Sequence, residues 1–95
     1  STYTDEMCGL MKELVAGADI ITPNITESCI LTGTPYSDML YEKDIVELAE
    51  KLSMMGPEKV VITGIVQGTF ISNYCYEREK EKFLCSLKWC FLSLR

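Results

Sequence analysis

Asn24 and Glu27 have the types and spacing of residues that bind a phosphate and a magnesium ion. They follow a short β-prone run and a proline, and they stand three positions apart at the predicted start of a helix. Side chains three positions apart lie on the same side of one helical turn. Glu27 could hold Mg²⁺ directly or through water, while Asn24 donates to a phosphate oxygen or orients a coordinating water.

Thr63 and Gly64 form a second polar pair, at the end of an apolar β-branched run. A glycine lets the backbone approach a phosphate closely, and a threonine hydroxyl can hydrogen-bond to it. The chemistry that both pairs suggest is therefore the binding of a phosphorylated, magnesium-bearing ligand.

Both pairs also have purely structural explanations. Asn-x-x-Glu is a capping box, in which Asn24 caps the helix and Glu27 reaches back to the N–H of the cap. Threonine commonly ends a strand, and glycine commonly begins a turn, which would account for Thr63 and Gly64. On spacing alone these structural explanations are the better ones, so neither pair by itself names a reaction.

The elements that must position these residues are two strands and three helices. Apolar spacing predicts a helix over residues 4–16, capped by Thr4 and ended by Gly17. Residues 18–22 predict a first strand that Pro23 ends, and residues 26–32 a short helix closed by Gly33. A third helix, ended by Gly56 and Pro57, buries one apolar face made by Ile45, Leu48, Ala49 and Leu52.

Residues 59–63 form an almost unbroken apolar run, the pattern of a parallel strand covered on both faces. Strand, helix and strand then make a crossover unit of an α/β fold, which places both strands parallel in one sheet. Ligands bind such sheets at the carboxyl ends of the strands, so the two polar pairs should meet at one edge. Residues 69–76 predict a hairpin after a turn at Gln67 and Gly68.

Composition narrows the partners of the 95-residue chain, which has room for one domain at most. A net charge of -5 argues against nucleic acid and anionic membranes, and no apolar run is long enough to span a bilayer. The 5 cysteines form no CxxC pair, and there is no histidine, which argues against a zinc site. We expect reduced thiols in a cytoplasmic protein, with Cys8 and Cys29 buried.

The sequence of residues 14–33 resembles the middle of pyridoxal kinases, members of the ribokinase-like superfamily. Residues 56–64 resemble the next strand of the same family, at the expected distance. The resemblance covers residues 1–84 and implies a partial three-layer ribokinase-like α/β domain. It further implies a cytoplasmic, homodimeric parent enzyme that transfers the γ-phosphoryl group of ATP to the hydroxymethyl group of pyridoxal, pyridoxine or pyridoxamine.

The resemblance also assigns roles to the polar residues. Asn24 and Glu27 would serve the magnesium-bound nucleotide phosphates, with Glu27 as the metal-binding residue, and Thr63, followed by Gly64, would contact ATP phosphate. Family members are about three times longer, beyond the usual size of a single core. They also carry a Gly-Thr-Gly-Asp stretch with the catalytic aspartate, which this sequence lacks. We therefore expect no catalytic residue here and no kinase activity from the 95 residues alone.

Residues 85–95 diverge from the family, and we interpret them as an out-of-frame translation of the region encoding the missing motif. The other interpretation is an ordinary β-strand or amphipathic end. If a one-base shift in the downstream DNA restores no Gly-Thr-Gly-Asp reading frame, the frameshift hypothesis is wrong.

Two alternative functions stay open. A hydroxymethylpyrimidine kinase of thiamin synthesis shares the superfamily and a similar Thr-Pro-Asn-x-x-Glu segment. A noncatalytic, self-associating fragment is the second, because an incomplete sheet would expose unpaired strand edges and apolar faces around residues 60–62 and 70–76.

Overall fold

The computed structural model describes residues 4–37, 41–67, 70–80 and 83–90. These residues form three α-helices and four strands, in the order α1 (Asp5–Ala16), β1 (Ile20–Ile21), α2 (Ile25–Thr32), α3 (Glu42–Met54), β2 (Lys59–Gln67), β3 (Phe70–Glu77) and β4 (Phe83–Cys90). A short 3₁₀ turn, Arg78–Lys80, lies between β3 and β4. This mixed α/β arrangement confirms the predicted fold class.

The helix boundaries follow the predicted capping signals. The Thr4 hydroxyl accepts a hydrogen bond from the N–H of Met7 at 3.1 Å and caps α1. Gly33 closes α2 with a φ of 70°, the left-handed conformation that favours glycine at a helix end. The apolar face predicted for α3 is buried, since Ile45, Leu48, Ala49 and Leu52 are each at most 2% exposed.

The four strands form one sheet in chain order, β1-β2-β3-β4. β1 pairs with β2 in parallel, with Ile20 opposite Lys59 and Ile21 opposite Val60. The β2–β3 and β3–β4 pairs are antiparallel. The parallel pair and the hairpin after it are both as predicted, while Gly68 of the predicted turn lies outside the described residues.

One hydrophobic core joins the three helices to a single face of the sheet. Val60 and Ile62 of β2 and Tyr74 and Tyr76 of β3 alternate onto this face. Residues of all three helices complete it, namely Val15, Cys29, Leu31, Ile45, Leu48, Ala49 and Leu52. Burial raises the pKa of the Cys29 thiol, whereas Cys8 is only half-buried, so burial is confirmed for Cys29 alone.

Several boundaries differ from the prediction. β1 has 2 residues rather than five, because Pro23 cannot donate to a ladder and Asn24 already caps α2. β2 does not end at Thr63 but continues to Gln67, because Ile65 and Val66 extend its pairing with β3. Val61, on the sheet face opposite the core, is half-buried rather than covered.

Among the described residues, the strand edges expected at residues 60–62 and 70–76 are not free, since these parts of β2 and β3 lie between neighbouring strands, with β1 and β4 outermost. Exposed apolar side chains lie on the sheet, where Ile20 and Val66 are 54% and 64% exposed, and on α1, where Leu10 and Leu14 are 56% and 75% exposed. In the part of the chain that the structure describes, no helix is long and apolar enough to cross a membrane.

Gly56 brings the end of α3 against the end of α1. Its φ is 151°, and a Cβ built there would lie 2.6 Å from the carbonyl oxygen of Ala16. The obstacle is backbone and cannot move aside as a side chain would. Gly56 is therefore needed both for its conformation and for this close approach.

The predicted divergent tail begins within β4, whose backbone pairs with β3 from Phe83, opposite Glu77, to Cys90, opposite Phe70. The backbone of residues 85–90 is therefore an ordinary β-strand, while residues 91–95 lie outside the described residues. Whether these residues arise from a frameshift stays a prediction.

Candidate functional site

The segment before α2 and the middle of β2 meet at the carboxyl end of β1. The N–H of Thr63 donates to the carbonyl oxygen of Pro23 at 2.8 Å, and Asn24 and Thr63 form a parallel β-bridge. The Thr63 hydroxyl lies 3.5 Å from the same Pro23 oxygen. The structure thus brings the two predicted polar pairs together at one edge of the sheet.

Asn24 and Glu27 form a complete capping box. The Asn24 Oδ1 accepts from the N–H of Glu27 at 2.7 Å, and the Glu27 Oε1 accepts from the N–H of Asn24 at 3.0 Å. The carbonyl oxygen of Asn24 also accepts from the N–H and the hydroxyl of the buried Ser28. The structural explanation of the pair is therefore confirmed, and it fixes both side chains at the start of α2.

The capping box leaves polar capacity for a ligand. A carboxylate offers about four acceptor positions and Glu27 uses one of its oxygens for the cap, while the Asn24 NH₂ group is not needed for capping. The first turn of α2 also has the N–H groups of Ile25 and Thr26, which cannot bond within the helix. Helix N-termini with such donors favour anions.

A β-bulge places Gly64 at the same edge. Ile62 pairs with Tyr74 and Ile65 with Ser72, so Thr63 and Gly64 together stand opposite one residue, Asn73. Gly64 has a φ of 68°, and no atom lies within 4 Å of a Cβ built on it. The bulge therefore leaves an open, left-handed glycine beside Thr63.

Sequence reasoning missed two residues at this edge. The Pro23 carbonyl ties the two segments together, and the Asn73 Oδ1 accepts from the N–H of Gly64 at 3.0 Å. Asn73 had no distinctive local signal, because β3 also contains the polar Ser72 and Glu77, and only pairing with the bulge gives Asn73 its role. The signal for Pro23 was its lack of an N–H, which leaves it only an acceptor.

Glu27 would be the principal carboxylate for a cation here. Asn24 and Gly64 are exposed, and Glu27 and Thr63 are half-buried, so a ligand can reach all four. Within the described ranges, no group of three or more cysteine or acidic side chains could hold a metal. Mg²⁺ commonly uses one or two carboxylates together with waters and substrate phosphates, which suits this donor set.

A separate pocket of about 220 Å³ lies between α2 and α3. It is lined by Cys29, Thr34, Pro35, Ser37, Asp44, Glu47, Leu48 and Lys51. None of the four predicted site residues lines it, so this pocket does not belong to the edge described above.

Comparison with known proteins identifies the family. The model of the phosphomethylpyrimidine kinase family matches residues 1–89, most of the chain and five residues beyond the predicted boundary at Leu84. The chain belongs to the phosphomethylpyrimidine kinase family. Its kinase relatives extend to ribokinase of Haemophilus influenzae, 43% identical over 63 residues, which are 66% of this chain and 20% of ribokinase.

Solved structures of other kinases superpose on this chain. A candidate phosphomethylpyrimidine kinase from Bacteroides thetaiotaomicron, crystallised with pyridoxal, superposes with a TM-score of 0.85 and 29% identity over 96% of this chain and 32% of its own. Bacillus subtilis pyridoxal kinase, solved as an ADP complex, superposes with a TM-score of 0.75 and 25% identity over 95% of this chain and 34% of its own. The fold is therefore ribokinase-like, and the chain spans about a third of the length of these structures.

Proposed function

We propose that this chain carries part of the Mg-ATP phosphate site of a kinase that phosphorylates the hydroxymethyl group of pyridoxal, pyridoxine or pyridoxamine. The observation that carries the proposal is the β-bridge between Asn24 and Thr63. It joins a helix N-terminus, a carboxylate and a glycine bulge at the edge of an α/β sheet where ligands bind.

Each group at this edge has a definite task in the proposal. The Thr63 hydroxyl and the exposed backbone at Gly64 would hold phosphate oxygens, and the N–H groups that open α2 would favour their negative charge. Glu27 would hold Mg²⁺ through water or directly, and Mg²⁺ would neutralise charge on the phosphates. Phosphoryl transfer depends mainly on such positioning and neutralisation.

The relatives support the binding of an adenine nucleotide and suggest pyridoxal as the phosphoryl acceptor. Bacillus subtilis pyridoxal kinase was solved with ADP, and the Bacteroides thetaiotaomicron structure holds pyridoxal. We assign the acceptor to the full-length protein, since the chain spans 32% of the Bacteroides structure. The 95-residue chain alone should not phosphorylate pyridoxal, because it has no Gly-Thr-Gly-Asp motif. Measured turnover by the purified chain would contradict this.

A hydroxymethylpyrimidine kinase of thiamin synthesis is the second candidate, favoured by the name of the matching family. Both candidates use the same phosphate edge and differ in the acceptor. Assaying the full-length protein with pyridoxal and with hydroxymethylpyrimidine, at equal concentrations and with Mg-ATP, separates them. A higher kcat/KM for the pyrimidine would replace the first candidate with the second.

Nucleotide binding is tested on the chain itself by NMR. Titration with ATP and MgCl₂ should shift the amide signals of Asn24, Thr26, Thr63 and Gly64, with weak affinity, and EDTA should reduce the effect. The signals of Thr34 and Lys51, beside the separate pocket, serve as the internal control. Shifts confined to those two residues, or no shifts at all, would refute the proposed site.

Size-exclusion chromatography of the same sample tests the noncatalytic alternative. A monomer that binds nucleotide supports the kinase segment. A large assembly that is indifferent to ATP would instead support self-association, for which the exposed Leu10 and Leu14 of α1 offer apolar surface.

A further inference from the structure

The bulge in β2 changes which residues of the strand face the core at the proposed phosphate edge. Val60 and Ile62 face the core before the bulge, and Ile65 faces it afterwards. Strict alternation would have turned position 64 toward the core and Ile65 away from it. The extra residue therefore keeps the core continuous and leaves Thr63 and Gly64 at the edge.

The extra residue also interrupts the ladder, and a side chain repairs the interruption. A bulge leaves one residue of the longer strand without its regular backbone partner. Here the N–H of Gly64 donates to the Asn73 Oδ1 at 3.0 Å. Asn73 is the residue of β3 opposite the bulge, so its side chain bridges the two strands where they are locally displaced.

On the other side, the bulge is held by Pro23, which follows β1. The N–H of Thr63 donates to Pro23, so successive N–H groups of β2 bond in turn to the β1 side and to the β3 side. Thr63 is thus anchored through its own N–H, while Gly64 depends on Asn73. No described atom lies within 4 Å of a Cβ built on the left-handed Gly64, so contacts at that position do not hold its conformation.

We infer that Asn73 is a positioning residue, which fixes the Gly64 bulge so that Thr63 and Gly64 meet the nucleotide phosphate. The inference rests on the proposed function. Loss of one hydrogen bond of this kind should weaken nucleotide affinity about fivefold, because the phosphate would have to order the bulge on binding.

The test compares Asn73→Ala with Val66→Ala, a control at an exposed position of the same hairpin. Two quantities are measured on the whole chain, namely the affinity for Mg-ATP by NMR titration and the hydrogen-exchange rate of the Gly64 amide. Asn73→Ala should bind about fivefold more weakly and exchange Gly64 about fivefold faster, with the exchange of Ile62 and Ile65 unchanged. Val66→Ala should change neither.

Asn73→Asp provides the conservative rescue, because aspartate keeps an acceptor oxygen at the same position. Slow exchange at Gly64 should return in this variant. Its nucleotide affinity should stay low, because the added charge repels phosphate. Fast exchange at Gly64 in Asn73→Asp would overturn the assigned hydrogen bond.

The outcomes separate this inference from the proposed function. Mg-ATP binding by the unsubstituted chain with equal binding by Asn73→Ala overturns the inference and leaves the function standing. Equal acceleration of exchange at Ile62, Gly64 and Ile65 makes Asn73 a general stabiliser of the hairpin and also overturns the inference. If the unsubstituted chain does not bind Mg-ATP, the proposed function fails and the inference fails with it.

Discussion

The N–H of Thr63 donates to the carbonyl oxygen of Pro23 at 2.8 Å, although the two residues are 40 positions apart in the chain. Pro23 has no N–H of its own, so its backbone can bond to β2 only as an acceptor. The bond places the capped start of α2 beside the bulge of β2. The candidate phosphate site exists only where these two segments meet.

Replacing Glu27 by glutamine separates its two roles. Glutamine keeps a side-chain oxygen for the N–H of Asn24, so the cap and the folding stability should be retained. The loss of charge should lower magnesium-dependent nucleotide affinity by about three- to tenfold, on the scale of a partly exposed charge interaction. Titration with ATP at fixed MgCl₂ measures it, with the exposed Glu50→Gln as the control. Unchanged affinity would leave Glu27 with a capping role alone.

Asn24→Asp should weaken nucleotide binding without unfolding the chain. Aspartate caps helices as well as asparagine does, so thermal stability should be preserved, while its charge repels phosphate. Asn24→Ala should instead cost about 1 kcal/mol of stability. Thr4 caps α1 in the same way away from this edge, so Thr4→Asp is the matched control and should leave affinity unchanged. Thermal melts and nucleotide titrations of the three variants give the answer, and full affinity in Asn24→Asp would count against a phosphate at this position.

Gly56→Ala should strongly destabilise the fold. The added methyl would meet the Ala16 backbone at 2.6 to 3.0 Å, and the φ of 151° is strained for any residue other than glycine. We expect a loss of about 2 kcal/mol or more in the free energy of unfolding. Gly9→Ala is the control, because Gly9 lies within α1 with no atom near its Cβ position, and it should stabilise by up to about 1 kcal/mol. Urea unfolding measures both, and equal stability of the two variants would argue against the contact between α1 and Gly56.

Tyr74 makes the stability sensitive to high pH. Burial raises the pKa of Tyr74, and the negative charge of Glu42 and a hydrogen bond to it raise the pKa further. The folded chain therefore binds the phenolic proton more tightly than the unfolded chain, whose ordinary value is 10.0. The stability that this group contributes is present below about pH 10 and is lost as the pH rises through the raised pKa of the folded state.

In Tyr74→Phe, the free energy of unfolding should fall less steeply with rising pH above about 10. The exposed Tyr36→Phe should leave this slope unchanged. Urea unfolding at a series of alkaline pH values compares the two variants, and identical slopes would contradict the role of Tyr74.

The sequence predicted the helices well because their signals are local. Thr4, Asn24 and Gly33 mark helix ends through bonds within four residues, and the apolar face of α3 repeats at helical spacing. It also placed the two polar pairs at one edge, because parallel strands share their carboxyl ends. Their roles toward a nucleotide remain predictions.

The length of β2 and the partner of Gly64 could not be predicted in the same way. Glycine after an apolar run indicates a turn as readily as a bulge, and only pairing with β3 distinguishes them. Asn73 acts across the hairpin, so nothing in its own neighbourhood in the sequence marks it. Leu10 and Leu14 of α1 belong to an apolar pattern that predicts a buried helix face. Among the described residues of this pattern, Met11 and Val15 pack into the core, while Leu10 and Leu14 stay exposed.

The order of the strands has a consequence for folding. β2, β3 and β4 pair with their neighbours in the chain, so those contacts close short loops. The bonds of Thr63 to Pro23 and of Lys59 to Asp19 each span 40 positions, the longest loops among the bonds described at the sheet, and both α2 and α3 lie within them. We expect the phosphate edge to be assembled last, after the hairpin. Pulse-labelling of amide protons during refolding would show it, with Thr63 protected later than Cys75 and Tyr76.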